Sequence, residues 1–424
     1  MVNSNPRVVI VAGEASGDLH GALLAAGIRK LVPNAELSGI GGRRMSEAGV
    51  SLYADSSQWS GIGVVQSLKV IPKLWTGHHG IARLLKANPP NLLVLIDFGA
   101  FNTRLAAKVR SSRVQILYYI PPGSWSRKKR YTNLHGLVDR VITPFPWSAE
   151  TLRSEGIEAD FFGHPLLDAV KPELSHDEFC LRYKLDSQKP IVGLLPGSRT
   201  AEVIHMLPTM LVAGTRMMEA NPDLQFVIPV AKSLDPMQIE RELSQVSWLD
   251  AQLFADSPTA PTRMPKLPLA RMIAAENRDA SAPKARLPVR LLSGMTGEVL
   301  SHSRMAVLSS GTATLEGTIL GVPMVIIYKG SRMMKLEYAL IGRRIGRIGM
   351  PNILLDRMVC PELISDAANP EAIADLALPL IADSPERTAM IEGLHEARAM
   401  LGEPGAVEKS VRVIVEMLKG RDAG

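Results

Sequence analysis

Residues 9–21, VIVAGEASGDLHG, join a short apolar run to a glycine and then to a series of acidic, small and hydroxyl residues. This order is typical of a buried strand that ends in a tight turn and enters a helix, because Gly13 lets the backbone turn sharply. Ser16 and Gly17 then place N–H groups at the start of the helix, where the helix dipole attracts an anion. The stretch therefore predicts a ligand-binding turn at the carboxyl end of a strand.

Two carboxylates, Glu14 and Asp18, lie in the same turn and argue against a phosphate there, because like charges repel. We expect them to accept hydrogen bonds from hydroxyl groups, to cap the helix or to act as a general base. Ordinary helix capping by Ser16 or Asp18 explains the stretch equally well, so this motif alone leaves the function open.

The order of strand, turn and helix recurs along the chain. Apolar runs that are hydrophobic on both faces alternate with helix-like stretches, which indicates parallel sheets covered by helices on both sides. The runs lie at 7–13, 35–41, 91–99, 114–122 and 138–146, and the pattern restarts at 191–199, 224–231, 305–311 and 323–329. We therefore predict an α/β protein with two Rossmann-like domains that face each other across a cleft.

The domain boundaries follow from where this pattern restarts and where it ends. We place an N-terminal domain at 1–168 and a C-terminal domain at 169–360. Residues 255–290 are rich in Pro, Ala and Arg, so we predict a mobile insertion there, with a short helix as an alternative for part of it. Residues 361–424 have helical spacing, and we expect these helices to pack back on the domains.

The composition is that of a large globular protein, with 424 residues of which 46% are hydrophobic. No apolar run is long enough to cross a bilayer and the N-terminus lacks the features of a signal peptide, so we expect a cytoplasmic protein. The net charge of +6 suits anionic partners such as phosphates or phospholipid surfaces. The basic run at 126–131, SRKKRY, is too short and too poor in aromatic residues to favour nucleic acid. Cys180 and Cys360 lack a partner motif and are predicted to be buried thiols, with no metal or disulfide role.

A second strand end carries a candidate phosphate-binding turn at 194–203, LLPGSRTAEV. Arg199 emerges from this turn, where its guanidinium can bind a diphosphate with two hydrogen bonds. Glu202 either completes a capping box with Ser198 or orients Arg199. A capped helix with a solvated arginine is the alternative.

The third strand end, 308–317 or LSSGTATLEG, runs through small residues into a helix. Ser310, Gly311 and Thr312 allow backbone N–H groups to approach a phosphate closely. Glu316 lies one helical turn beyond Thr312, where its carboxylate can bind a ribose diol. A plain helix cap fits this turn as well, but three such turns at three strand ends favour a ligand site.

The sequence is similar to the lipid-A-disaccharide synthase family in a series of motifs that occur in that family's order and approximate spacing. The motifs are VAGEASGDLHG, GIGGRRMSEAGV, GIGVVQSL, LIDFGAFN, FFGHPLLDAV, LLPGSRTAEV, LSSGTATLE, GVPMVIIYK and MPNILL. The match covers most of residues 7–370, and the combination is more specific than any one motif. The resemblance implies the GT-B fold of metal-independent nucleotide-sugar glycosyltransferases.

The resemblance also implies an activity, that of an inverting hexosyltransferase of lipid A biosynthesis. Such an enzyme transfers 2,3-diacylglucosamine from UDP to 2,3-diacylglucosamine 1-phosphate and produces lipid A disaccharide 1-phosphate and UDP. The UDP-sugar is a substrate, and neither a metal nor a cofactor is expected. The implied location is peripheral, on the inner face of the inner membrane. The oligomeric state stays open, a homo-oligomer included.

The resemblance assigns the UDP-sugar donor to the C-terminal domain and the acceptor to the N-terminal domain. The implied donor residues are Arg199, Ser310, Gly311, Thr312, Glu316 and Asn352, and the acceptor turn contains Gly13, Ser16 and Gly17. Inversion needs a base for the acceptor hydroxyl and a cation for the leaving diphosphate, which makes Asp97, Glu14, Asp18 and Arg199 the catalytic candidates.

The stretch at 60–80 corresponds to an apolar and basic segment that is thought to meet the lipid in the family. Trp59, Lys73 and Trp75 are therefore candidates for membrane contact. Core packing is the alternative explanation for the two tryptophans.

The sequence departs from the family pattern mainly in the acceptor half. Ala100 stands where the family has an aspartate that is a leading candidate for the base, and Gln66 replaces a usual glutamate. The stretch 121–131, PPGSWSRKKRY, retains only one tryptophan of the family's run.

These departures leave several alternatives beside the lipid A reaction. The base could have moved to Asp97, Glu14 or Asp18, or the protein could be a paralogue that uses another acceptor. A weakly active protein that binds nucleotide sugars, a membrane-docking scaffold and a UDP-sugar 2-epimerase are the other hypotheses.

Overall fold

The structure is a computed structural model that describes residues 5–13, 15–56, 79–112, 114–254, 267–277, 286–329 and 347–420. The chain divides into two compact units. Unit 1 contains Met1–Ala169 and Leu401–Gly424, and unit 2 contains Val170–Met400. The first division lies close to the predicted boundary at 168. Of the C-terminal region predicted at 361–424, residues 361–400 are part of unit 2 and residues 401–424 are part of unit 1.

The described part of unit 1 has one parallel sheet of seven strands in the order β3-β2-β1-β4-β5-β6-β7. Its strands are β1 Arg7–Ala12, β2 Glu36–Gly41, β3 Ser51–Asp55, β4 Leu92–Ile96, β5 Gln115–Tyr119, β6 Arg140–Ile142 and β7 Ala159–Asp160. Its helices are α1 Ala15–Leu31, α2 Arg43–Glu47, α3 Gly99–Val109, α4 Pro146–Ser154 and α5 Leu166–Ala169, and residues 79–87 are also helical. The C-terminal helix of the chain, Ala406–Gly420, belongs to this unit as well.

The described part of unit 2 repeats this architecture with the strand order β10-β11-β9-β8-β12-β13-β14, again parallel and seven-stranded. Its strands are β8 Ile191–Leu195, β9 Gln225–Val230, β10 Leu249–Phe254, β11 Leu287–Ser293, β12 Met305–Ser309, β13 Met324–Tyr328 and β14 Glu362–Ile364. Its helices are α6 His176–Tyr183, α7 Thr200–Ala220, α8 Pro236–Leu243, α9 Leu269–Glu276, α10 Thr296–His302, α11 Thr312–Leu320, α12 Met350–Leu355, α13 Pro370–Ile381 and α14 Pro385–Ala399. The helix Ala406–Gly420 of unit 1 is α15.

The prediction of two parallel α/β sheets is confirmed, and the burial of the strands gives the reason. All five residues of β4 are buried, and so are all five of β8 and of β12. A strand with apolar side chains on both faces is stable only when helices cover both faces of its sheet. Cys180 and Cys360 are buried free thiols, as predicted.

Within 255–290, the short helix that was the alternative for part of this stretch is confirmed as α9, and the described residues belong to the fold rather than to a mobile insertion. Helix α9 buries Leu269 and Ile273 completely, and β11 begins at Leu287 and pairs with both β9 and β10. Two short apolar segments therefore belong to the core of unit 2, although prolines and arginines surround them in the sequence. Residues 255–266 and 278–285 lie outside the described residues.

The C-terminal region also differs from a purely helical one. Residues 362–364 form β14, the strand at one edge of the second sheet. Helices α13 and α14 lie in unit 2, whereas α15 packs on α1 in unit 1 and places Val411, Ile414 and Leu418 in the core. The last helix therefore completes the first unit.

Candidate active site

The predicted turns lie at the topological switch points of the two sheets. The strand order reverses between β1 and β4 in unit 1 and between β8 and β12 in unit 2. In open α/β sheets, ligands bind outside the carboxyl ends of the strands at such points. The VAGEASGD turn follows β1, Asp97 follows β4, the PGSR turn follows β8 and the SSGT turn follows β12.

Gly13 brings the two switch-point turns of unit 1 together. A Cβ atom at this position would overlap the ring of Phe98, the residue that follows Asp97. Only glycine therefore fits between β1 and the turn after β4. Ser16 and Gly17 lie in the first turn of α1, as predicted, whereas Glu14 lies outside the described residues.

Asp18 has a structural role that the sequence analysis assigned to the wrong helix. Its carboxylate accepts hydrogen bonds from the backbone N–H groups of Gly42, Arg44 and Met45, at 2.7, 3.0 and 3.0 Å. The side chain is only 8% exposed and holds the N-terminus of α2. Both oxygens of this carboxylate already accept backbone hydrogen bonds, so the side chain is held away from the role of a base. We therefore assign Asp18 as the cap of α2 and no longer as a candidate for the base.

Asp97 lies on an unusual backbone segment. Asp97, Phe98 and Gly99 have φ angles of 46°, 54° and 26°, and the first two carry a steric cost in this left-handed region. The carbonyl oxygen of Asp97 accepts hydrogen bonds from the Tyr118 hydroxyl at 2.8 Å and from Asn102 Nδ2 at 2.9 Å. The Asp97 side chain is half-buried at the end of β4. Its position fits the predicted base, which stays a prediction.

The turn after β8 confirms a direct link between Arg199 and Glu202. One oxygen of the Glu202 carboxylate accepts from the backbone N–H groups of Ser198 and Arg199, at 2.8 and 3.2 Å. The other oxygen lies 3.3 Å from Arg199 Nη1. Gly197 has φ 113°, and a Cβ atom there would overlap Glu202. Glu202 therefore caps α7 and orients Arg199, whose side chain keeps 36% of its surface exposed.

The turn after β12 leads directly into α11. Gly311 and Thr312 are exposed and Glu316 is half-buried, one helical turn further on. The Ser310 hydroxyl donates to the carbonyl oxygen of Ile348 at 2.8 Å, which ties the turn to the segment before α12. The exposed start of a nine-residue helix offers backbone N–H groups to an anion.

The side-chain amide of Asn352 is fully used by hydrogen bonds to the segment that leads into β14, and it has no capacity left for a ligand. The side chain is 0% exposed. Its Nδ2 donates to Glu362 and to the Cys360 carbonyl, both at 2.7 Å, and its Oδ1 accepts from two backbone N–H groups. We therefore correct the assignment of Asn352 to donor contact. Glu362, which the sequence analysis missed, accepts in turn from the N–H groups of Ile348 and Gly349.

A family model described as "Lipid-A-disaccharide synthetase" matches residues 8–272 and 271–408, and so covers both units. The chain belongs to this family. It is 35% identical over 419 residues to the lipid-A-disaccharide synthase of Syntrophus aciditrophicus, with 98% of each chain covered. It is also 35% identical over 420 residues to that of Geobacter sulfurreducens, again with 98% of each chain covered.

Solved structures with the same fold include glycosyltransferases and epimerases. The glycotransferase of kitacinnamycin gives a TM-score of 0.56 at 12% identity and covers 98% of this chain and 100% of its own. A UDP-GlcNAc 2-epimerase from Neisseria meningitidis bound to UDP-GlcNAc gives 0.53 at 12% identity, with the same coverage. At this identity the similarity shows the fold alone. The family member described here therefore has the GT-B fold.

Two of the three departures from the family pattern of the lipid-A-disaccharide synthetases, Ala100 and the segment 121–131, meet at one cavity in unit 1. The third, Gln66, lies outside the described residues. Ala100 and the segment after β5 both line the cavity, and its volume is about 350 Å³. The side chains that line it include Arg104, Lys129 and Tyr118. Burial and the nearby Asp97 raise the pKa of the Tyr118 phenol, which therefore stays protonated. Sequence reasoning noted both departures but not their proximity, because β4 and β5 become neighbours only in the sheet.

The candidates for membrane contact in this family member, Trp59, Lys73 and Trp75, lie outside the described residues. Among the helices that are described, none combines the length and the apolar composition that a bilayer crossing requires.

Proposed function

We propose that this protein transfers 2,3-diacylglucosamine from UDP to 2,3-diacylglucosamine 1-phosphate, with lipid A disaccharide 1-phosphate and UDP as products. The observation that carries this proposal is the family match across both units. The positions of the motif turns support it, since each of them follows a strand at a switch point. The reaction makes the protein an inverting hexosyltransferase of lipid A biosynthesis.

Unit 2 holds the donor in this proposal. The Arg199 guanidinium binds the diphosphate, and the start of α11 at Gly311 and Thr312 offers N–H groups to its oxygens. Both interactions become stronger as negative charge develops on the leaving UDP, which lowers the barrier to cleavage of the glycosidic bond. Glu316 accepts hydrogen bonds from the ribose hydroxyls. Glu202 contributes by orienting Arg199, to which it is hydrogen-bonded.

Unit 1 holds the acceptor in this proposal, and Asp97 is the general base. Its carboxylate removes the proton of the attacking hydroxyl while the oxygen forms a bond to the anomeric carbon. The bond from that carbon to the UDP oxygen breaks on the opposite face, so the configuration inverts. Asp97 is favoured over Asp18 because the Asp18 carboxylate is used by α2. Glu14 is the other candidate.

The substrates bear acyl chains, and we propose that the protein binds peripherally to the inner face of the inner membrane to reach them. Trp59, Lys73 and Trp75 would insert at the interface between lipid and water. These residues belong to the apolar and basic stretch of the acceptor half.

A transfer assay tests the proposed function. The purified protein is incubated with UDP-diacylglucosamine, with and without diacylglucosamine 1-phosphate, and the products are separated by mass spectrometry. We expect a disaccharide phosphate and one UDP for each disaccharide, and only when the acceptor is present. Release of UDP or isomerisation of the donor without any acceptor would instead identify an epimerase. No reaction in either mixture would contradict transferase activity.

A further inference from the structure

The cavity in unit 1 lies beside the backbone of the proposed base. Its wall contains Gly99 and Ala100, the first residues of α3, and Tyr118, whose hydroxyl donates to the carbonyl oxygen of Asp97 at 2.8 Å. With a volume of about 350 Å³, it lies at the lower end of the range typical for small-molecule sites. A molecule in this cavity would therefore be next to the turn that carries Asp97.

The charged side chains that are known to line the cavity are both cationic. Arg104 and Lys129 are part of its lining, and no acidic residue is found among the described residues that line it. The start of α3, a helix of eleven residues, adds a partial positive charge from its dipole. An aspartate at the position of Ala100 would oppose this field, and the alanine leaves it intact. The cavity is therefore suited to an anion.

The basic run SRKKRY contributes only one of its four cations, Lys129, to the cavity. Arg127 stacks over the ring of Trp147 at 4.2 Å, and Arg130 lies 3.7 Å from Glu155. Lys128 is exposed and does not line the cavity, whereas Lys129 is half-buried in its wall. This arrangement favours a single anion over a flat, polyanionic surface, because Arg127 and Arg130 are engaged by other side chains.

Beside the polar Thr103 and Asn133, the lining contains an apolar surface that suits the face of a sugar ring. It includes Pro121, Pro122, Leu134 and the ring of Tyr131. The Tyr131 hydroxyl bonds to Ser148 at 2.6 Å, so this ring is fixed in place. A lining that combines two cations with apolar surface matches a sugar phosphate.

We propose that this cavity binds the phosphate of the acceptor, with Arg104 and Lys129 as its ligands. This inference rests on the proposed function and adds the place at which the acceptor is recognised. The phosphate is held at the start of α3, and the sugar lies between it and Asp97. Arg104 and Lys129 thereby determine the specificity for a phosphorylated acceptor.

The test compares two acceptors, diacylglucosamine 1-phosphate and diacylglucosamine without phosphate, at a saturating donor concentration. We expect Lys129→Gln and Arg104→Gln each to raise the KM for the phosphorylated acceptor roughly tenfold, as expected for the loss of a charge-assisted hydrogen bond. The KM for the acceptor without phosphate and the KM for the donor should not change. Lys129→Arg should restore most of the affinity. Lys128→Gln is the matched control, because Lys128 is a neighbouring lysine that does not line the cavity.

An unchanged KM in both glutamine variants, or an equal rise with both acceptors, would overturn the proposal. Equal melting temperatures of all variants verify that they fold. Titration calorimetry with glucosamine 1-phosphate and glucosamine separates this inference from the proposed function. If the wild type transfers nothing but binds only the phosphate compound, and Lys129→Gln abolishes that binding, the cavity assignment stands while the proposed reaction fails. If Lys129→Gln weakens binding to phosphatidylglycerol vesicles but not to glucosamine 1-phosphate, the lysine serves a lipid surface and the proposal is wrong.

Discussion

The two units place their turns at equivalent switch points but stabilise them in different ways. In unit 1 the turns after β1 and β4 pack directly on each other, and residues 97–99 have positive φ angles. In unit 2 carboxylates hold the backbone: Glu202 accepts N–H groups of the turn after β8, and Glu362 accepts those of residues 348 and 349. At these turns, unit 1 relies on steric fit and unit 2 on charge-assisted hydrogen bonds.

This difference agrees with the chemistry proposed for each unit. Backbone strain costs about 1–3 kcal/mol for each residue and persists only where the surroundings impose it, so it can fix a base in one position. A diphosphate needs oriented cations and free N–H groups, and an ion pair such as that of Arg199 and Glu202 orients a cation without enclosing it. We therefore expect substitutions that change side-chain shape to affect unit 1 most, and substitutions that remove a charge to affect unit 2 most.

The largest expected effect comes from Asp97→Asn. The amide keeps the shape of the side chain and the hydrogen bonds of the backbone carbonyl, but it removes the base. We expect kcat to fall by roughly 10²- to 10⁴-fold, with UDP affinity unchanged, because unit 2 alone is proposed to hold UDP. Steady-state kinetics and calorimetry with UDP measure the two quantities. Asp55→Asn, at the exposed end of β3, is the matched control. A kcat within tenfold of the wild type would transfer the role of base to Glu14.

Arg199→Ala is the corresponding change in unit 2, with a smaller expected effect. Loss of a charged hydrogen-bond donor to the diphosphate should weaken UDP binding roughly ten- to hundredfold. Calorimetry with UDP measures the affinity, and Arg241→Ala, on the exposed face of α8, serves as the control. Glu202→Gln should cause a part of the same loss, since it frees the guanidinium from its partner. Unchanged UDP affinity in Arg199→Ala would remove the diphosphate assignment.

Much of the fold could be predicted from the sequence, because fully buried parallel strands are continuous apolar runs. The strands that were missed are β3, β7, β10, β11 and β14; four of them are edge strands, and β11 lies next to the edge strand β10. Edge strands are covered less completely, so their sequences, such as SLYAD in β3, carry polar residues. Strand β11 was hidden by Pro288 and Arg290 within an apolar segment.

Contacts within the site could be predicted only where both partners lie in the same turn of the sequence. Arg199 and Glu202 are three residues apart, so their ion pair followed from the spacing. Asp18 and its partners at residues 42–45 are separated by a helix and a strand, and Asn352 meets Glu362 only because β14 joins the sheet. Hydrogen bonds between distant segments depend on the sheet order, which the local pattern does not contain.

Gly13→Ala tests the steric half of the comparison, with an effect on stability. The added Cβ would overlap the Phe98 ring, so the turn after β4 must shift. Overpacking of this kind typically costs about 1–3 kcal/mol of unfolding free energy. Chemical denaturation measures the loss, and Gly80→Ala is the control, since a Cβ atom added there would meet no heavy atom within 4 Å among the described residues. A Gly13→Ala variant as stable as the wild type would show that the close packing of the two turns is not required.

Two buried histidines, His20 and His164, make the stability of unit 1 depend on pH. Burial, with a contribution from Arg44, lowers the pKa of His20 to about 4, and burial with a contribution from His20 lowers that of His164 to about 3. Both histidines are therefore neutral at pH 7. In the unfolded chain their pKa values return to about 6.5, so the unfolded state binds more protons between pH 6.5 and pH 4.

Unit 1 should consequently lose stability as the pH falls below about 6.5, by up to about 1.4 kcal/mol per pH unit for each histidine. Hydrogen exchange of β1 and β5, followed from pH 7 to pH 5, measures this loss within unit 1. His20→Gln should reduce the slope by about half, because one of the two groups no longer titrates. His135→Gln, at an exposed position of the same unit, should leave it unchanged. If the slope of His20→Gln equals that of the wild type, His20 is charged in the folded protein. The burial of His20 would then not contribute to the pH dependence of the stability of unit 1.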